Sequence, residues 1–121
     1  MFHVLANQSE QLLSITYSLH VDREQTERCV EEVKVALDGL KPGFRLLVDL
    51  SGLEQMEPSC AISIREIMKL CNDRKISAVA RVIPDPRKDI GLHLMSYFHY
   101  GPDVRLMTSD NLADAMNNLA A

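Results

Sequence analysis

Carboxylates, hydroxyls and a thiol crowd together in D-L-S-G-L-E-Q-M-E-P-S-C-A, residues 49–61. Asp49 and Glu57 of this stretch are a candidate pair for general acid–base work, one giving and one taking a proton. Such a pair needs a nucleophile or a histidine to act with, and spacing ties neither to it. The other reading is an Asp49 kept for the fold beside a solvated Glu57. Ser59 follows Glu57-Pro58 where a helix is expected to open, and there it reads as a helix cap, with Pro58 stiffening the entry. The four histidines are His3, His20, His93 and His99. His93 and His99 stand six apart, which separates them around a helix, and no H-E-x-x-H is present. Cys29, Cys60 and Cys71 fall on separate helical turns without a C-x-x-C, so they read as core thiols rather than zinc ligands. No Gly-rich phosphate loop occurs among the five glycines. We therefore expect no cofactor, no metal and no catalysis.

Two further clusters could bind rather than react. Met95-Ser-Tyr97-Phe-His-Tyr100 holds three of the six aromatics. Tyr97 and Phe98 lie near an Ile90/Leu94 stripe, whereas Tyr100 and Met95 point elsewhere. The patch reads as a partner surface or an apolar ligand cleft, or else as a wide buried stripe with a tyrosine rim. Charge is also uneven. Residues 1–64 carry ten acids and five bases (−5), and residues 65–121 seven acids and eight bases (+1). Arg65, Lys69, Arg74, Lys75, Arg81, Arg87 and Lys88 could dock an acidic partner or a phosphate, or form a solvated face.

The elements that must position these groups alternate between strand and helix. Phe2–Leu5 is a short apolar run. Leu13, Ile15, Tyr17 and Leu19 alternate with polar residues, the period of a strand with one buried face. Asp22 opens a helix, with Gln25 three residues on as in a capping box. Its stripe is Thr26, Val30, Val33, Leu37 and Leu40, and Gly39, Pro42 and Gly43 mark its exit. Phe44–Leu50 and Ile76–Ile83 are continuous apolar runs, as in strands covered on both faces. Between them, Cys60, Ile64, Ile67 or Met68, and Cys71 mark a second helix. Asp85-Pro86 opens a third, with Ile90, Leu94, Tyr97 and Phe98 as its stripe. Val104–Met107 is a short strand, and a last helix runs from Asp110 with Leu112, Ala115, Met116 and Leu119 on one face. The order ββαβαβαβα is an α/β fold. Its sheet is mixed and mostly parallel, the opening hairpin forming an antiparallel edge and the helices packing on the sheet.

Composition bounds the rest. A chain of 121 residues, 46% hydrophobic and with a net charge of −4, suits a single domain over residues 1–121. No apolar run reaches membrane-span length. The odd cysteine count and a Met1–Asn7 segment without a leader pattern point to a reducing cytoplasm. The acidic balance disfavours nucleic acid as a partner.

The 49–61 stretch resembles the STAS domain of anti-sigma factor antagonists, the SpoIIAA-like fold. That family shows D-x-S-x-x-x-x-M-D-S-S-G at the junction of a central strand and a helix. Asp49, Ser51, Met56 and Ser59 match, and Glu57 replaces the Asp. Asp22 matches a second acid that the family places near the same loop, and the element order fits nearly the whole chain. In the antagonists the residue after the acid is the phosphorylated serine, but here it is Pro58, and the following glycine is Cys60. The resemblance therefore implies a degenerate phosphoswitch, closer to a broader group of SpoIIAA-like bacterial proteins. Ser59, one position later, is either a phospho-acceptor or the helix cap. The function implied is regulatory and non-enzymatic, through Pro58, Ser59, Cys60, Met95, Tyr97 and Tyr100. The partner implied is an anti-sigma-like kinase or a multi-component regulatory complex. The alternative is a carrier or sensor of a small apolar ligand under the third helix. A homodimer through an exposed helix or the edge strand Phe2–Leu5 is also open.

Overall fold

The period-two run builds β2 (Leu12–Tyr17), and β1 (Phe2–Asn7) folds against it antiparallel, Phe2 opposite Tyr17 and Asn7 opposite Leu12. The structure is a computed structural model and describes residues 1–89, 91, 95 and 99–120. The apolar runs become β4 (Arg45–Asp49) and β6 (Ala78–Val82), and β7 (Arg105–Ser109) completes a five-stranded sheet ordered β1-β2-β4-β6-β7. Every pairing after the opening hairpin is parallel. This is the mixed, mostly parallel sheet that the element order predicts.

Both faces are covered. On one, Leu13, Ile15, Leu46 and Val79 pack against α1 (Arg23–Leu37) and α2 (Ala61–Asp73). On the other, Leu12, Leu47, Ala78, Ala80 and Val82 meet Ala115 and Leu119 of α3 (Leu112–Ala120). The α1 stripe buries as its spacing predicts, with Cys29 added to it. Asp22 caps α1, its carboxylate accepting from the Gln25 amide at 2.9 Å. The Gln25 side-chain amide donates instead to the His20 carbonyl (3.4 Å), so only the Asp22 half of the capping box forms.

The structure departs from these expectations in four places. The alternation through Leu19 is broken in space, because Leu19 takes a left-handed backbone (φ 58°) and the chain turns there. Leu19–Val21 becomes a separate strand, β3, which pairs in parallel with β5 (Leu53–Met56) inside the expected loop. The Leu19 amide donates to the Gly52 carbonyl (2.9 Å) and secures the junction. The last helix buries only Ala115 and Leu119, since a nine-residue helix lying on β6 and β7 turns Leu112 and Met116 to solvent. Arg81, counted with the surface basic residues, is buried in β6, with its Nη2 donating to Thr108 Oγ1 at 2.8 Å. The helix expected from Asp85 opens as the single 3-10 turn Pro86–Lys88, capped by Asp85. Its stripe Ile90, Leu94, Tyr97 and Phe98, and His93, lie outside the described residues. Among the described residues no helix is long and apolar enough to cross a membrane.

Candidate functional site

The β3–β5 pair ends where α1 and α2 begin, and so brings both helix starts together. Val21 lies opposite Met56. The Glu57 amide donates to the Val21 carbonyl (3.1 Å), and the buried Cys60 thiol donates to the same oxygen (3.6 Å). A 3-10 turn, Pro58–Cys60, then leads directly into α2. Asp22 and Glu57 are therefore neighbours at adjacent strand ends. Both press on Cys60, whose thiol is pushed up first by burial and then by these two charges, against a lowering hydrogen bond from Thr26. A thiol held protonated in this way is a packing group and not a nucleophile.

Glu57 faces His20, Nε2 to Oε2 at 3.7 Å, with both side chains about half exposed. Asp49 stands apart from this cluster. It accepts from the Ser51 amide (2.9 Å) and the Ser51 hydroxyl (2.6 Å), closing the turn that leads from β4 to β5. It also alternates with Val48, which places it on the Leu47 face of the sheet. The D-x-S element is thus a turn-former, and Asp49 and Glu57 have separate partners. Among the described residues no group of His, Cys, Asp and Glu could hold a metal.

Ser59 is exposed, and among the described residues its hydroxyl makes no hydrogen bond. It is not the cap: Glu57 holds the cap position of the turn, without a side-chain bond to it. Pro58 is exposed beside Ser59, and one turn on is Ile62, 51% exposed. Ile62 lies off the Cys60/Ile64/Ile67/Cys71 stripe, and that spacing was the signal that could have found it. The pairing of His20 with Glu57 had no such signal, because it depends on β3 meeting β5.

The remaining expected surface residues divide differently. Cys60 (0% exposed) and Tyr100 (7%) are in the core, and Met95 packs against it, so these three are not a free surface. Tyr97 lies outside the described residues. Between α2 and the sheet is a cavity of about 30 Å³, bordered by Tyr17, Val48, Ile67, Met68, Arg81 and Tyr100. It has room for about one water molecule. Burial drives both tyrosine hydroxyls well above their ordinary range, and Tyr17 Oη lies 3.5 Å from Cys29 Sγ.

Comparison with known proteins yields no matching protein-family model and no matching curated sequence. Solved structures do match. One is an uncharacterised protein of the DUF3478 family with a SpoIIAA-like fold from Shewanella loihica PV-4. It is 16% identical with a TM-score of 0.72, over 98% of this chain and 92% of that one. Another is the anti-sigma factor antagonist SpoIIAA in its unphosphorylated form, 12% identical with a TM-score of 0.62 over 100% and 99%. A third is an anti-sigma factor antagonist from Mycobacterium paratuberculosis, 17% identical with a TM-score of 0.60 over 100% and 96%. The chain therefore has the SpoIIAA-like, or STAS, fold.

Proposed function

We propose that this chain is a regulatory protein-binding domain that works through the start of α2. Its working surface is Pro58, Ser59 and Ile62, continued by the exposed Arg65 and Lys69 along the same side of the helix. The observation that carries the reading is an exposed isoleucine beside a proline and a serine hydroxyl with no internal partner, at a helix start. Among the described residues neither the Ile62 side chain nor the Ser59 hydroxyl is packed or bonded within the fold, and an apolar anchor ringed by polar groups is what a protein partner recognises. The SpoIIAA-like fold, shared with anti-sigma factor antagonists, supports a partner of the anti-sigma kinase type or another component of a regulatory complex.

The domain acts by binding and not by chemistry of its own. The raised Cys60 thiol and the Asp49 carboxylate committed to Ser51 support this. Ser59 is the position at which a kinase would act on it. A phosphate there adds charge beside Glu57 and repels an acidic partner, while the amides of the helix start offset part of that charge.

The test is titration calorimetry of the full chain with purified anti-sigma-type kinase domains, followed by intact-mass analysis after incubation with ATP. Binding that weakens on Ile62→Asp and a single added phosphate that Ser59→Ala abolishes are the expected results. Equal binding by wild type and Ile62→Asp overturns the surface. Binding without phosphate on Ser59 removes the switch and leaves the docking site.

A further inference from the structure

The two outer strands of the five-stranded sheet treat their open edges differently. An edge strand offers unpaired amides and carbonyls to any other strand, and proteins blunt it with charge, proline or a bulge. β7 carries Arg105 and follows Pro102-Asp103. β1, Phe-His-Val-Leu-Ala-Asn, has no Lys, Arg, Asp, Glu or Pro, and its register with β2 runs through six pairs without a bulge. A large exposed apolar side chain flanks this edge on each face. Leu5 is 57% exposed on the face away from α1, and Val35 of α1 is 73% exposed on the other.

The charges beside the edge are arranged to suit a second copy. α1 runs over β1 in the same direction. Arg28 lies 5.9 Å from the Phe2 ring centre, and Val4 shares a groove of about 410 Å³ with Glu31, Glu32, Val35 and Ala36. Arg28 and Glu32 stand four apart, one turn along the helix. Among the described residues neither has an ion-pair partner, whereas Arg23, Glu27, Glu31 and Lys34 on the same helix do. A two-fold axis beside β1 would set two copies of this strand antiparallel and two copies of α1 side by side in opposite directions. Arg28 of each copy then faces Glu32 of the other, twice per dimer, and the sheet continues from one copy into the next. An isologous contact requires such self-complementarity.

We propose that the chain forms a two-fold dimer through the β1 edge and the adjoining side of α1. This surface is separate from the one at Ser59, and neither reading depends on the other.

Sedimentation velocity of the full chain, from low micromolar to near-millimolar concentration, tests the proposal alongside amide exchange. A concentration-dependent dimer is expected, with β1 amides gaining protection as it forms. Arg28→Glu or Glu32→Arg alone replaces two attractive pairs by two repulsive ones and weakens the dimer about tenfold. Both sites are exposed, and a cooperative thermal melt at low micromolar concentration, where the chain is monomeric, confirms that each variant folds. Mixing these two variants creates a heterodimer with both pairs restored, at wild-type strength. A chain that stays monomeric to near-millimolar concentration overturns the proposal. So does a dimer that leaves β1 amides unprotected, that neither reversal weakens, or that mixing fails to restore.

Discussion

On its inner face α2 presents Ile64, Ile67, Met68 and Cys71, all buried against the sheet and α1, and on its outer face Ile62, Arg65, Glu66 and Lys69, all exposed. Both faces carry an isoleucine, yet only the inner ones are accounted for by folding. The inner side chains fill the space between α2 and the sheet down to a cavity of about one water. The outer isoleucine starts from a position that the core does not need. The difference separates residues that make the domain from residues that it offers to others. It also removes Cys60 and Tyr100 from the second group.

The largest expected effect breaks the comparison if it fails to appear. Ile67→Ala deletes a buried side chain at the cavity wall and should cost about 2 to 5 kcal/mol of stability, read by urea unfolding. Ile62→Ala should stay within about 0.5 kcal/mol. Similar losses for the two would mean that the outer face is part of the core.

A separate, pH-dependent effect concerns the buried thiols on the inner side. Burial pushes Cys29 up to about 11 and Cys71 up to about 12. Unfolded thiols ionise near about 8.5, so above that pH the unfolded chain releases protons that the native chain keeps. Stability should hold at neutral pH and fall as pH climbs toward 11 and 12, by up to about 1.4 kcal/mol per pH unit for each thiol. Urea unfolding midpoints across this range check it, and a Cys29→Ala, Cys71→Ala chain should lose part of the slope, the remainder coming from the raised Cys60, Tyr17 and Tyr100.

On the outer face, Ser59→Asp should weaken the partner complex about tenfold or more while leaving the melting temperature unchanged, since Ser59 has no internal bond to lose. Calorimetry and thermal melts read the two quantities separately. The smallest effect lies between the faces, at the neighbouring helix start. Asp22→Ala removes the α1 cap and should cost about 1 kcal/mol, with a matching drop in melting temperature. A much larger loss would show that the Asp22–Glu57–Cys60 cluster depends on that carboxylate.

Much of the fold was legible in particular residues. The Thr26-to-Leu40 stripe, the Asp22 cap and the runs at 44–50 and 76–83 each carry their own instruction, because helix and strand periods are local. The site was legible only as a stretch of sequence. Residues 49–61 stood out, but Asp49 and Glu57, eight residues apart, turned out to have different partners. Leu53–Met56 read as loop, because four residues with two exposed in the middle show no strand period. They become a strand only when β3 supplies hydrogen-bond partners.

By itself the sequence determined an α/β domain with a mostly parallel sheet, the helix faces that bury and the junction where a functional surface would lie. These follow from side-chain period, capping and apolar content, which act within a few residues. Only the tertiary structure decided that Leu19 turns the chain into a second small sheet, that His20 meets Glu57, that Tyr100 and Arg81 go inward and that Ser59 and Ile62 stay outside. Those outcomes depend on contacts between segments more than thirty residues apart in several cases, such as the bonds from Leu19 to Gly52 and from Cys60 to Val21. Which of two apolar side chains is covered is set by what lies opposite it in space.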